Sequence, residues 1–135
     1  MAFTWNPTLE TGHPAIDSQH KELINAINNL LAACQQGLGA DKVGTTLDFL
    51  VSYTKRHFGE EEALQQKSNY PDISNHRNLH AAFVKVIMDL SVELKQAGPT
   101  PVVINKIIRN VGDWLINHIQ QQDVKVAAHL KKAGT

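Results

Sequence analysis

The sequence predicts an all-α fold: an antiparallel, up-down-up-down four-helix bundle with an extended N-terminal arm and a short C-terminal helical tail. Three observations predict it. Four stretches carry apolar residues that step by alternating threes and fours, the spacing of a helix seam that faces other helices. Glycine, proline and asparagine interrupt the chain between those stretches. The joining segments are short, which makes successive helices antiparallel neighbours. No useful length of sequence alternates apolar and polar residues as a half-buried strand does, and there is no internal repeat.

The arm, Met1 to about Pro14, contains Pro7, Gly12 and Pro14 and has no periodicity. The first helix is expected to be capped by Asp17 or Ser18, to run to about Gln36 and to stop at Gly37 and Gly39. Its inward face is Ile16, His20, Leu23, Ile27, Leu30 and Leu31. The second begins near Asp41 and ends around Ser68, where Asn69 suits the left-handed conformation and Pro71 forbids continuation. Leu47, Leu50, Thr54, His57, Glu61 and Leu64 form its seam. The third starts after Pro71 with Asp72 as cap and ends at Ala97-Gly98-Pro99; its seam runs from Ile73 through His76, His80, Phe83 and Ile87 to Leu90 and Leu94. The fourth starts near Pro101, whose fixed φ suits a first helical turn, and presents Ile104, Ile107, Val111, Trp114 and His118. A tail helix covers about Asp123 to Lys132. The whole reads as one domain, 1–135, with the arm over 1–14, the bundle over about 15–122 and the tail over about 123–135.

A chain of 135 residues is long enough to bury a core without cross-links. Its 13 basic and 13 acidic residues balance, which argues against nucleic acid or an anionic membrane surface as partner. Cys34 is the single cysteine and cannot form an internal disulfide, so a cytoplasmic location is expected. No stretch approaches the roughly 20 apolar residues of a spanning helix, and a monomer without membrane insertion is the expectation.

Chemistry enters through the seams. Periodicity assigns His20, His57, Glu61, His76, His80 and His118 to the core. A buried ionisable group costs several kcal/mol unless it is paired or bound to metal. One core histidine is ordinarily a hydrogen-bonded structural residue. Five on four helices, in register with carboxylates, are explained more simply by mutual satisfaction around a metal cluster. His57 and Glu61 are four residues apart, as are His76 and His80, so each pair lies one turn apart and differs by only about 40° around its helix. His118 and Asp123 are five apart, a rotation of about 140° in a regular helix. For both to reach one centre the helix must bulge between them, and a π-type turn is the natural device. Five imidazoles and two carboxylates exceed the needs of one tetrahedral zinc and suit a pair of metals; a donor set without thiolate suits iron.

These residues resemble the hemerythrin family, in particular its bacterial single-domain members. Phe3 and Trp5, then Ile16-Asp17-x-Gln19-His20, look like the opening of that family. His57-Phe58-x-x-Glu61-Glu62, Tyr70-Pro71, His76-x-x-x-His80 and Trp114-Leu115-x-x-His118-x-x-x-x-Asp123 look like the rest. The resemblance implies that His76, His80 and His118 ligate one iron and that His20 and His57 ligate the other. It implies further that Glu61 and Asp123 bridge the pair together with an oxo or hydroxo group. Dioxygen would bind at the open position of the two-histidine iron, with Trp114 and Leu115 lining the pocket. A carrier for storage, delivery or scavenging is therefore expected rather than an enzyme, with an oxygen-consuming protein as recipient. Neutral imidazoles support that expectation, because the anionic donors of di-iron oxygenases stabilise high-valent iron and favour oxygen cleavage. The rival readings are a di-iron oxidase or peroxidase, and a sensor of oxygen, iron or nitric oxide. A bundle that holds zinc, or no metal, is the plainer alternative.

Other residues are expected to stand outside the site. His13 is placed in the exposed arm, and His129, Glu60 and Glu62 in solvent. Cys34 is expected to pack near the end of the first helix.

Overall fold

The computed structural model describes residues 3–134 of the chain. A single 3₁₀ turn, Pro7–Leu9, precedes five α-helices: α1 (Pro14–Gln35), α2 (Gly39–Lys67), α3 (Ile73–Ala97), α4 (Pro101–His118) and α5 (Val124–Lys132). Between α4 and α5 lies a π-helical turn, Ile119–Asp123. The first four helices form the bundle, with α1 against α2 and α4, and α3 against α2 and α4. Side-chain pairs show the directions. Arg77 meets Gln66 while Phe83 meets Phe58, so partners descend along α2 as α3 ascends. His76 meets His118 while Glu93 meets Lys106, and α3 and α4 are antiparallel by the same logic. Among the described residues no helix is long and apolar enough to cross a membrane.

Helix ends follow local chemistry. At both α1 and α2 the chain turns out through a left-handed residue, Gly37 (φ +77°) and Asn69 (φ +57°). Leu38 N then donates to Ala33 O at 2.7 Å, and Tyr70 N to Gln65 O at 2.8 Å, so carbonyls that the helix leaves unpaired find donors. The second of these turns carries Tyr70 into the interior. Thr100 caps α4 by accepting from Val103 N at 3.2 Å.

Three details differ from the sequence expectations. Helix α1 starts at Pro14, and its cap is the half-buried His13, whose Nδ1 accepts from Ile16 N at 3.4 Å. Asp17 lies inside the first turn instead, where its carboxylate accepts from Thr11 N at 2.9 Å and Thr11 Oγ1 at 2.7 Å, folding the arm onto the helix. Asp72 does occupy the cap position of α3, but its side chain accepts from Asn75 Nδ2 at 3.2 Å rather than from a backbone amide. The arm is not extended throughout. Asn6 accepts from Thr8 N at 2.9 Å and starts the 3₁₀ turn, which buries Leu9 completely.

Further along the arm, Phe3 N donates to Asn28 Oδ1 at 2.8 Å and Asn28 Nδ2 donates to Phe3 O at 2.7 Å. The Phe3 ring lies so close to Gly112 that a Cβ there would be 2.2 Å from Cζ of the ring. Asn28→Ala removes both clamping hydrogen bonds and is expected to lower stability by roughly 1–2 kcal/mol, the sum of two ordinary intramolecular bonds. Urea titration of the variant against the parent chain measures it.

The core is in two parts. The larger cluster includes Leu23, Ile27, Leu47, Leu50, Phe83 and Ile107, and the smaller is Ile16, Tyr70, Val126 and Leu130. Along α1 the order is Ile16, His20, Leu23, and along α2 it is Leu50, His57, Glu61, Leu64, with Leu64 packed on the smaller cluster. The ionisable residues thus form a layer between two apolar plugs. That layer is as buried as the apolar clusters on either side of it.

Candidate metal centre

All seven residues singled out from the sequence meet in this layer. His20, His57, Glu61, His76, His80, His118 and Asp123 are each at most 5 % exposed. Their donor atoms fall into two groups, each spanning no more than 4.8 Å: Glu61, His76, His80, His118 and Asp123 in one, and His20, His57, Glu61 and Asp123 in the other. The two carboxylates are common to both.

Each carboxylate divides its oxygens between the groups. Oε1 of Glu61 is 2.8 Å from His76 Nε2 and 3.5 Å from His80 Nε2, whereas its Oε2 is 3.6 Å from His57 Nε2. Oδ1 of Asp123 is 3.1 Å from Nε2 of both His76 and His118, and its Oδ2 is 2.8 Å from His20 Nε2. Asp123 reaches this position because the π turn supplies the irregularity that its spacing from His118 requires. Gln120 Nε2, within that turn, donates to Thr8 Oγ1 of the arm at 2.8 Å and ties it down.

The donor set fits a cation better than it fits itself. Both oxygens of Glu61, both oxygens of Asp123 and Nε2 of His20 are buried without an aligned hydrogen bond, although imidazole nitrogens stand close by. In the three-histidine group Nε2 of His118 lies 3.1 Å from Nε2 of His76 and 3.2 Å from Nε2 of His80. Ring nitrogens converging on one another, beside two carboxylates that receive no aligned donor, are satisfied by a cation between them.

Electrostatics point the same way. Burial lowers the pKa of His57 to about 4, despite the upward pull of Glu61, so its ring is neutral and its lone pair is available. Burial also opposes protonation of His76, but the Asp123 and Glu61 carboxylates outweigh it and raise the value to about 9. Asp123 is driven up by burial, yet the close ring nitrogens of His118, His20 and His76 leave it well below the usual carboxylate range. Glu61 also ends below its usual value, the His76 and His80 contacts outweighing burial and Asp123. A cation entering the layer would take over the role of the His76 proton.

Aromatic rings enclose the three-histidine side. Phe58 stacks on His80 at 3.7 Å with the planes 1° apart. Trp114 is sandwiched between His118, at 4.3 Å, and Phe83, at 3.8 Å. Leu115 is buried in the larger apolar cluster.

Two residues expected in solvent, Glu62 and His129, instead make contacts to other helices, and Gln19 makes one for which the sequence carried no signal. Glu62 is not in solvent: its Oε2 accepts from Nδ1 of His80 at 2.8 Å. Gln19 was unassigned, yet its Oε1 accepts from Nδ1 of His57 at 2.5 Å, and its Nε2 donates to Glu60 Oε2 at 2.7 Å. Glu60 is exposed as expected but orients that amide. His129 is half-buried, with Nε2 donating to Ser68 O at 2.8 Å, and so fastens α5 to the end of α2. All four partnerships cross between helices. Positions within one helix carry no signal for them. Cys34 is half-buried, with its Sγ against Gly39, where a Cβ would be 2.6 Å away.

A helical bundle with imidazoles and carboxylates gathered in a dry interior layer defines a class, the metal-binding helical bundles. The model of the hemerythrin HHE cation-binding domain matches residues 11–130. The chain is 32 % identical to a bacteriohemerythrin of Stenotrophomonas maltophilia, over 96 % of this chain and 82 % of that one. It is 26 % identical to a myohemerythrin of Theromyzon tessulatum, over 95 % and 93 % respectively. A crystal structure of a leucine-to-phenylalanine mutant superposes with a TM-score of 0.82 at 32 % identity, covering 96 % of this chain and 98 % of that one. The chain belongs to the hemerythrin family, whose members are oxygen-binding proteins.

Proposed function

We propose that the chain binds dioxygen reversibly at a non-haem di-iron centre, for storage, delivery or scavenging in the cytoplasm. The observation that carries this reading is the sharing of Glu61 and Asp123 between a three-histidine and a two-histidine group. His76, His80 and His118 would hold one iron and His20 and His57 the other, with the two carboxylates and an oxo or hydroxo group as bridges. Held there, an iron pair would supply the reversible two-electron chemistry that binding and release of dioxygen require.

The rest of the chemistry belongs to the chain. Five imidazoles against two carboxylates give a donor set of low negative charge. His57 is neutral at physiological pH because it is buried, and it offers its Nε2 without prior loss of a proton. His76 keeps the carboxylates company with a proton until metal replaces it. Phe58, Trp114 and Phe83 cover the three-histidine side, and the two apolar clusters close the layer from both ends. Excluding water from the layer would shield a metal pair held there from irreversible oxidation.

Leu115 is assigned a part in that exclusion. Leu115→Ala is expected to accelerate autoxidation several-fold, followed in air as decay of the visible absorption of the oxygenated protein; an unchanged rate removes Leu115 from the gating role. The reading as a whole is tested by anaerobic reduction followed by admission of air. A visible absorption band that forms with air and vanishes under argon is the expected result. Direct passage to a ferric form with no such band would overturn the carrier reading in favour of an oxidase or a sensor.

A further inference from the structure

The two histidine groups differ in more than the number of rings. His80 of the three-histidine group and His57 of the two-histidine group both turn Nε2 towards Glu61, at 3.5 and 3.6 Å. A neutral ring that offers Nε2 as a lone pair carries its proton on Nδ1, so each ring donates outward from that atom. For His80 the acceptor is an anion, Oε2 of Glu62 at 2.8 Å. For His57 it is a neutral amide oxygen, Oε1 of Gln19 at 2.5 Å. The amide cannot present its nitrogen instead, because that nitrogen donates to Oε2 of Glu60 at 2.7 Å. Glu62 is itself held from outside by Arg77, whose Nε lies 3.5 Å from the other carboxylate oxygen, and its side chain is 25 % exposed.

We propose that Glu62 and Gln19 are positioning residues that make the two metal positions electronically unequal, Glu62 strengthening the three-histidine position and Gln19 leaving the two-histidine position weaker. The inference rests on the dinuclear reading given above. An anionic acceptor polarises the Nδ1–H bond and raises the electron density at Nε2, so the ring becomes a better donor to metal. A neutral amide fixes the same ring orientation with less polarisation. The three-histidine position therefore holds its metal more tightly than one extra imidazole accounts for. The two-histidine position, the one that needs an open coordination site for dioxygen, is the one that exchanges its metal first.

The test equilibrates the diferrous full-length protein, without oxygen, against graded concentrations of a ferrous chelator. Native mass spectrometry counts chains with two, one and no irons. The parent protein is expected to lose iron in two steps, through a one-iron species. Glu62→Gln keeps an oxygen acceptor for His80 and removes only the charge. It is expected to lower the chelator concentration that removes the last iron roughly 10-fold, with the first step unchanged. Gln19→Glu combined with Glu60→Gln reverses the polarity at His57 while keeping a hydrogen-bond donor beside it. That variant is expected to raise the concentration that removes the first iron by roughly the same factor. A residue that merely holds its ring in place would leave Glu62→Gln like the parent. A shift of less than twofold in the relevant step of either variant overturns the proposal. A parent chain that holds fewer than two irons overturns the dinuclear reading instead, so the two failures are distinguishable.

Discussion

Inserting one alanine between Gln120 and Gln121 is expected to leave the chain unable to hold a metal pair. The π turn at Ile119–Asp123 lets residues five apart share a face, and through it Asp123 reaches both histidine groups from the end of α4. An extra residue rotates everything beyond it by about 100°. Asp123 then leaves His20, His76 and His118; His76 keeps Glu61, but the contacts of His20 and His118 to Asp123 are lost. Breaking a buried charge pairing in this way costs roughly 3–5 kcal/mol. Val126 and Leu130, both fully buried, leave the smaller cluster in the same motion, at roughly 2–5 kcal/mol for a lost Leu side chain. Deleting Gln121 has the opposite logic. It places His118 and the aspartate four apart in a regular α-helix, the spacing of His57 and Glu61, and metal binding is expected to survive. Iron content per chain and thermal unfolding measure both variants. Iron retained by the insertion and lost by the deletion would show that the turn does not deliver Asp123.

Chelation of the metal is expected to destabilise the bundle strongly. The layer between the two apolar clusters contains five imidazoles and two carboxylates, and the carboxylates have no aligned hydrogen-bond donor of their own. A ligand present at a thousandfold its dissociation constant stabilises the state that binds it by about 4 kcal/mol. For a domain of this size that corresponds to a fall of roughly 10–20 °C in Tm when the metal is removed. Scanning calorimetry before and after chelation checks the figure, and a change of only a degree or two would mean that the layer is satisfied without metal.

The metal-free chain should also show a particular pH dependence. His57 has its folded pKa depressed to about 4, below the unfolded 6.5, so the unfolded chain binds the extra proton in that window and stability falls as pH drops from 6.5 towards 4. His76 has its folded pKa raised to about 9. Its contribution is full below 6.5 and is lost as pH rises through 9. The two groups together place maximum stability of the metal-free chain near pH 6.5, and urea midpoints across that range would reveal it.

Much of this molecule is legible in the linear sequence, for a reason that is physical. Helices are local, so the steps of three and four that place His57 beside Glu61 and His76 beside His80 are written within one turn of chain. The five-residue spacing of His118 and Asp123 likewise demands a distortion, and the π turn is that distortion. Glycine, asparagine and proline mark the helix ends because so few residues tolerate the backbone found there, as Asn69 shows at φ +57°. By itself, then, the sequence determined four helices, their inward faces and six site residues on those faces, and it required a distortion before Asp123 could join them.

Only the tertiary structure decided how those faces meet. Which histidines of α3 meet Oε1 of Glu61 depends on the rotation of α2 against α3, and no spacing within α2 encodes it. The same holds for Glu62 on His80 and Gln19 on His57, each a partnership between residues on different helices. Glu62 has a helix-surface position by periodicity alone, and it becomes a partner of the site because α3 brings the outer edge of the His80 ring to it. His13 and His129 were likewise assigned to solvent, and each instead holds a helix end. Periodicity tells a side chain which way to point; packing between helices determines what it finds there.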